Sequence, residues 1–510
     1  MIISLSVLVI TIIVSGTYAL YKAQLSKNIG VNTTTHGLAY YINYVKGTDI
    51  TAATLNPSTS YEGGASSDIE FWKKDDSYDI YGKIELTVNT IGTNLSNSPA
   101  LKYAVVNNGN VLKEGSLKGT TSGSKVTILK NLYLEQTKQI YTVYVWLDNS
   151  EELGNISNES LSISVDCTAS LQKEPTAADT IISLYTSAAK VTATNNSITY
   201  NTAPSVSLMN DRLGGTTTSL DGGNIRYYGA SPNNYIYFNC SDYSNQTSST
   251  CETWRIIGVF DGKLKLIKGS QIGTYSWDNK NISTGAEDDR GKNDWTTARL
   301  MKLLNPDDYY INDNNDKDSE GNYLGYSLYY NSASGMCFTD EGVNYSACDF
   351  TSTGIKNDET RNMIAETTYN LGGWNDTGVY PNEIYEYERG TTVYTGRPTT
   401  WTGKIALAYP SDYGYAADLN QCKQTLANYD NSTCTSNNWM KAIITDNGSN
   451  HGWLLTPDSS YSYVAWYSQG NVGEYFTGAA RGAVPVLSLS SKLGIESGDG
   501  SSSNPYKLSA

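Results

Sequence analysis

The sequence has 510 residues, room for about three domains of ordinary size; 17% are charged, against roughly 25% in a typical soluble protein, while Tyr reaches 41 and Gly 45. A net charge of −15 supplies no basic track for a phosphate backbone and argues against nucleic acid as a partner. Two histidines, His36 and His451, are too few for a His-rich zinc site, and neither accompanies a G-x-S-x-G nucleophile signature.

The chain opens MIISLSVLVITIIVSGTYALYKAQ. An apolar run over 2–14, then small residues up to Ala19, suits the core and cleavage site of an export signal. The run reaches the roughly 20 residues of a spanning helix only if Leu20 and Tyr21 are counted. Residues 1–21 are therefore read as a signal peptide or, if uncleaved, a membrane anchor, although no Lys or Arg precedes the run. Everything beyond about residue 30 is then expected outside the cell, at the surface or secreted.

From about 30 to 168 the pattern is β. In GKIELTV, Ile84, Leu86 and Val88 alternate with Lys83, Glu85 and Thr87, the period of a half-buried strand. IYTVYVWLD (Ile140–Asp148) is rich in β-branched and aromatic residues, and SLSISVD (160–166) alternates again. Turn signals such as Asn107-Asn108-Gly109-Asn110 separate the runs. The expectation is an antiparallel sandwich of about seven to nine strands.

The SGTYALY that follows the apolar run, with the closing stretch YTVYVWLDNSEELGNISNESLSISVDCTA, resembles the camelysin and biofilm-matrix-fibre family of Bacilli over residues 1–168. That resemblance implies export, a jelly-roll-like sandwich and, in some members, self-assembly into extracellular fibres. This chain departs from the family in continuing well beyond it.

Residues 169–222 read as a linker. One short helix is expected in EPTAADTIISLYTSAAKV; the rest is polar and turn-rich, and GGTTTSLDGG has the composition of a hinge. The third region, 223–510, starts at NIRYYGASPNNYIYFNC; TWRIIGVFDGKLKLIKG (Thr253–Gly269) then reads as two apolar strands around Asp261-Gly262, a type I′ hairpin signal. NDWTTARLMKLLN (293–305) predicts a helix capped by Asp294, with Trp295, Ala298, Met301 and Leu304 or Leu303 on one face. DETRNMIAETTYNLGG predicts a helix ending on Gly372-Gly373. Val464–Tyr467 and Val472–Phe476 read as strands around Gln469-Gly470-Asn471, and Pro485 suggests that AVPVLSLS lies near a sheet edge.

NIRYYGASPNNYIYFN, WRIIGVFDGKLKLIK, SWDN, NDWTTARLMKLLN, YNLGG, WTGKIALAYPSDYGYA, GWLLTPDSS, VAWY and the closing AVPVLSLSSKLGIESGDGSSSNPYKL together resemble a bacterial C-type-lectin-like surface domain, related in fold to the formylglycine-generating sulfatase activators. The resemblance implies a scaffold that displays variable residues to ligands. Sulfatase activation would need reactive cysteines, and Cys422 and Cys434 have the spacing of a structural bridge instead.

Seven cysteines form three close pairs, Cys240 with Cys251, Cys337 with Cys348 and Cys422 with Cys434, and leave Cys167 over. None is C-x-x-C, so nearest-neighbour disulfides are expected in an exported chain. Trp374-Asn375-Asp376 matches the tripeptide that lectins of this fold use for calcium and sugar, but its companion loop is missing; YPNE at 380–383 is a loose echo. NDNNDKDSEGNY (312–323) places Asp316, Asp318 and Glu320 as for the start of a calcium loop, yet Ser327 stands where an EF-hand needs Glu. We read it as a solvated acidic insertion in preference to a calcium site; no other cofactor is indicated.

The aromatic stretch over 452–490 holds two tryptophans, four tyrosines, a phenylalanine and three charges. Trp453 and Trp466 lie in apolar runs and are assigned to the core. Tyr461, Tyr463, Tyr467, Tyr475 and Phe476 are the candidate ligand-binding residues, since such rings offer large contact area at low entropic cost. The expected fold is mainly β and multidomain, a β-sandwich followed by an α+β lectin-like domain. The expected function is non-catalytic adhesion to a glycan or protein; the alternatives are a structural subunit of a fibre or biofilm matrix and, third, an extracellular hydrolase.

Overall fold

The computed structural model describes residues 23–25, 41–51, 55, 57–151, 153–156, 159–212, 223–279, 285, 289–312, 317, 321, 323–339 and 345–509. The fold is mainly β, built from antiparallel sheets, and the chain divides into two compact units, the second starting at Pro175. The apolar N-terminal run and the Asp316, Asp318 and Glu320 cluster lie outside the described residues. Among those described, no helix is long and apolar enough to cross a membrane.

The first unit has two sheets. In one, Leu161–Ser170 pairs with Tyr81–Ile91, which pairs with Lys125–Tyr133; Ala23–Leu25 and Ile50–Thr51 add to the 161–170 strand. In the other, the order is Ile42–Val45, Ala65–Lys73, Ile140–Asp148, Leu101–Asn107 and Asn110–Ser116, with Pro57–Ser58 parallel to the 140–148 strand. This is more strands than the pattern suggested, because short pieces such as 50–51 and 57–58 carry no alternation. Ile84, Leu86 and Val88 are fully buried and share one core with Ile69, Phe71, Val143 and Val145 of the other sheet. Each such side chain contributes about 1.5–3 kcal/mol on leaving water. Cys167 faces this core with no exposure, and burial pushes its thiol well above the usual range. A bridge to a second copy through Cys167 is therefore closed to the folded unit.

The second unit starts at Pro175, within the stretch read as a linker. Ala177–Ser187 is a helix with a capping box between Thr176 and Asp179. Val191–Asn195, Ile198–Ala203 and Leu208–Asn210 then extend a nine-stranded sheet through Ile225–Tyr227, Glu252–Phe260, Lys263–Lys268, Val486–Ser488 and Ile405–Ala406, with Tyr235–Phe238 pairing to the 252–260 strand off this path. The linker reading failed because these strands bury polar side chains. Asn195, 1% exposed, donates to the carbonyls of Leu419 (3.1 Å) and Cys422 (2.7 Å). Residues 213–222 lie outside the described residues.

The Asp261-Gly262 hairpin forms as expected, with both residues at positive φ. The 293–305 helix is broken: a single 3-10 turn, Trp295–Thr297, precedes Arg299–Leu304, with Ala298 extended between them. Asp294 does cap the first turn, accepting from the Thr296 amide at 3.1 Å. Arg299–Leu304 is buried on every side rather than on one face. The helix expected to end on Gly372-Gly373 stops at Met363, and the β-branched and aromatic residues of Thr367–Asn370 pair with Thr400–Gly403 instead. Pro485 sits just ahead of Val486–Ser488, a strand with neighbours on both sides. That strand is second from the end of its sheet, near the edge as expected, and a proline ahead of it loses no ladder bond.

Candidate functional site

A five-stranded sheet in the second unit runs in the order Thr274–Ser276, Ala480–Gly482, Gly452–Pro457, Val464–Ser468 and Val472–Phe476. Trp453 and Trp466 are fully buried, and their indole N–H groups donate to the carbonyls of Tyr275 (2.9 Å) and Trp374 (3.3 Å). The five candidate rings form one chain of contacts. Tyr461 meets Tyr463 (centroids 5.9 Å), Tyr463 meets Phe476 (6.0 Å), Phe476 meets Tyr475 (4.7 Å) and Tyr475 meets Tyr467 (6.4 Å). Tyr461 and Tyr475 are exposed, 52% and 40%; the other three are half-buried.

Strand register explains the array. Tyr467 stands opposite Gly473, and a Cβ on Gly473 would meet the Tyr467 ring at 3.1 Å, so the ring lies across the glycine backbone. On the other side Tyr467 stands opposite the buried Trp453 in the register. The loop that carries Tyr461 and Tyr463 is tied from within. Asp458, fully buried, accepts from the amides of Ser460 (2.6 Å) and Tyr461 (2.8 Å).

Two arginines that sequence reasoning passed over complete the face. The Arg290 guanidinium lies 3.7 Å from the Tyr463 ring centre. Arg481 lies 4.1 Å from Tyr467 and 4.4 Å from Tyr475, close enough for cation–π attraction. Arg481 also donates through Nη1 to Nδ1 of His451 (2.6 Å), whose ring stacks on Tyr467 at 5.4 Å. That bond requires an unprotonated Nδ1, and burial together with the Arg481 charge lowers the His451 pKa. The Gly482 amide donates to the His451 carbonyl (2.7 Å) and so fixes the two residues side by side. The available signal was that Arg481 is one of only three charges in the 452–490 stretch.

The other two charges of that stretch meet each other. Burial and the neighbouring Asp458 carboxyl, with Asp376 adding its charge, push the Glu474 pKa up to about 7. Asn375 donates to Ser460 Oγ at 2.9 Å, and Asp376 accepts from the Gly378 amide at 2.7 Å. The lectin-like tripeptide thus adjoins the aromatic loop, but as a bracing element. Among the described residues no group of three or more His, Cys, Asp or Glu is arranged to hold a metal ion. The YPNE echo is the start of the helix Pro381–Glu388, where Glu383 caps the Tyr380 amide (2.8 Å).

All three disulfides join nearest neighbours: Cys240–Cys251, Cys337–Cys348 and Cys422–Cys434. They point to an oxidising compartment. No family model matches this sequence, and no curated protein is significantly similar to it.

Proposed function

We propose that this is an exported, non-catalytic binding protein of the bacterial surface, which recognises a glycan or protein ligand through the aromatic face of its second unit. The observation that carries this reading is the unbroken run of ring contacts from Tyr461 to Tyr467, with its two most exposed members near opposite ends. Rings held this way present flat apolar area with hydroxyl groups at the rim, the chemistry that stacks on sugar rings and anchors protein contacts. The C-type-lectin-like resemblance and the disulfides fit the same reading, and an N-terminal segment kept uncleaved would tether it to the membrane. The test is a glycan array and a cell-adhesion assay with the full chain. Alanine at Tyr461, Tyr463 and Tyr475 together should abolish the binding seen; unchanged adhesion would remove the proposal.

The fibre-subunit reading has one observation in its favour. Asn110–Ser116 ends one side of its sheet, with Val111 and Leu112 exposed at 44% and 36%. An edge of this kind is a template for pairing with another chain. Filaments of purified protein in the electron microscope would favour it. A hydrolase would need two carboxyls facing an open cleft; of the two acids pushed up to about 7, Glu388 is fully buried against Ser411 and Arg389, and Glu474 is engaged with Asp458.

A further inference from the structure

In the second unit a lysine and an aspartate 147 positions apart are in direct contact away from water. Lys265 lies on the strand Lys263–Lys268 and Asp412 on the short helix Pro410–Tyr415. Lys265 Nζ donates to Asp412 Oδ2, and the two side chains are 7% and 1% exposed. Rings close over the amine, with Nζ 4.9 Å from the centre of Phe260 and 4.6 Å from that of Tyr409. Lys73, by contrast, pairs with Asp76 at the surface, where water screens both charges.

Both oxygens of Asp412 also carry a second donor. Arg226 Nη1 donates to Oδ1 at 2.8 Å, and the Tyr409 amide donates to Oδ2 at 3.0 Å. Each draws electron density away from the carboxyl carbon Cγ, which Nζ adjoins through its contact with Oδ2. Lys265 has the two features that make an amine a nucleophile, burial and neighbouring cations. Burial lowers its pKa, and Arg226 and Arg389 add to this against the pull of Asp412. On the acid the balance goes the other way, because Lys265 and Arg226 outweigh burial and keep the Asp412 pKa low. The resting state is therefore the ion pair. The reactive state is its minor form, in which one proton has crossed to Oδ2, and no encounter step is needed to reach it.

We propose that Lys265 and Asp412 condense in the folded chain into an amide crosslink, a single self-processing event that uses no cofactor. The uncharged Nζ attacks Cγ, and Arg226 Nη1 holds the charge that develops on Oδ1. The Nζ–Cγ bond forms and the Cγ–Oδ2 bond breaks. Oδ2 leaves as water, with the proton it took from the ammonium and a second one from Nζ. One ammonium and one carboxylate thus give one amide and one water, with no change of oxidation state. Two buried charges disappear in the product, and Arg226 keeps Asp211 as its carboxylate partner. The bond ties the 263–268 strand to the 410–415 helix by a link that reduction cannot open.

The test is peptide mapping of the full chain, folded at neutral pH and then reduced and alkylated. Trypsin should fail to cut after Lys265 and should release a branched peptide in which 264–268 is joined to 405–423. Its mass should be one water below the sum of the two parts. Asp412→Asn should give the same branched mass, because ammonia then leaves in place of water. Lys265→Arg keeps a cation against Asp412 and should yield linear peptides only. The parent chain decides the matter by itself, so a variant that fails to fold leaves the test standing. Recovery of 264–265 and 405–423 from the parent as separate peptides of full mass would overturn the proposal and leave an ordinary buried ion pair. A branched peptide joined through Lys263 or Lys268 would overturn the assignment to Lys265.

Discussion

Asn293 and Arg397 hold each other and the same loop. Arg397 Nε donates to Asn293 Oδ1 at 3.0 Å, and both residues reach the Ser462 carbonyl, Arg397 through Nη2 and Asn293 through its backbone amide, each at 2.9 Å. The Asn293 side-chain amide, in a residue 1% exposed, lies within 3.0 Å of the carbonyls of Asp458, Tyr461 and Val464. A single buried amide thus sets the path of the segment that presents Tyr461 and Tyr463.

Replacing Asn293 with Ala should therefore loosen this segment. Three carbonyls lose a buried donor, a loss of about 2–3 kcal/mol. Hydrogen exchange in the full chain should show faster exchange over 458–464, with the first unit unchanged. Protection equal to that of the parent protein would mean that the loop is held by other contacts.

Gly473→Val tests the register under Tyr467. On an exposed edge strand, valine in place of glycine ordinarily adds stability, up to about 1 kcal/mol. Here the new side chain enters the space of the Tyr467 ring, so the expected sign is reversed, with a loss of about 1–2 kcal/mol. The double variant with Tyr467→Ala should recover part of it. A stabilised single variant in thermal unfolding would falsify the packing described.

Peptide mapping of the native protein under non-reducing conditions should recover all three nearest-neighbour disulfides, with Cys167 as the free thiol. The bridges span 11, 11 and 12 residues, loops for which a crosslink stabilises by about 3 kcal/mol. Reduction should lower the melting transition of the second unit and leave that of the first in place. Loss of Cys422–Cys434 should matter most, because both half-cystines sit in the main core. Cys167 should resist alkylation until the first unit unfolds.

Stability should fall as pH rises between about 4.5 and 7. Glu388 is fully buried; it accepts from the amide and hydroxyl of Ser411 at 2.9 and 2.5 Å, and burial, only partly offset by Arg389 and Ser411, raises its pKa to about 7. The folded chain therefore keeps the proton that the unfolded chain releases in this window, and linkage makes unfolding easier as the proton leaves. The full effect is on the order of 3 kcal/mol for this one group. Glu388→Gln should flatten the slope of stability against pH from 5 to 7. An unchanged slope would assign the dependence to other groups, Glu474 first, which acts in the same direction.

Much of the local structure was legible because it follows from residue periodicity. The 84–88 alternation, the 140–148 strand, the Asp261-Gly262 turn and the strands around Gln469-Gly470-Asn471 all rest on neighbours two to four positions apart. The 169–222 segment was misread because its strands carry Thr and Asn inward, and composition cannot distinguish a solvated asparagine from one that bonds buried carbonyls, as Asn195 does. The break at Ala298 was hidden for a related reason, since Arg299–Leu304 is enclosed on all sides and has no polar face to report its period; the helix ends at Met363 because Thr367–Asn370 pairs with the distant Thr400–Gly403.

For the candidate face, residue chemistry alone was enough to nominate five rings and to pair six cysteines, since ring area, thiol spacing and an export-like start are properties of the chain itself. It could not order those rings into one contact path, place the Arg481 charge among them, or set Glu474 beside Asp458. Those relationships join segments such as 290, 376, 451–482 and the two hairpin strands, and they exist only once strand register fixes which side chains share a face of the sheet.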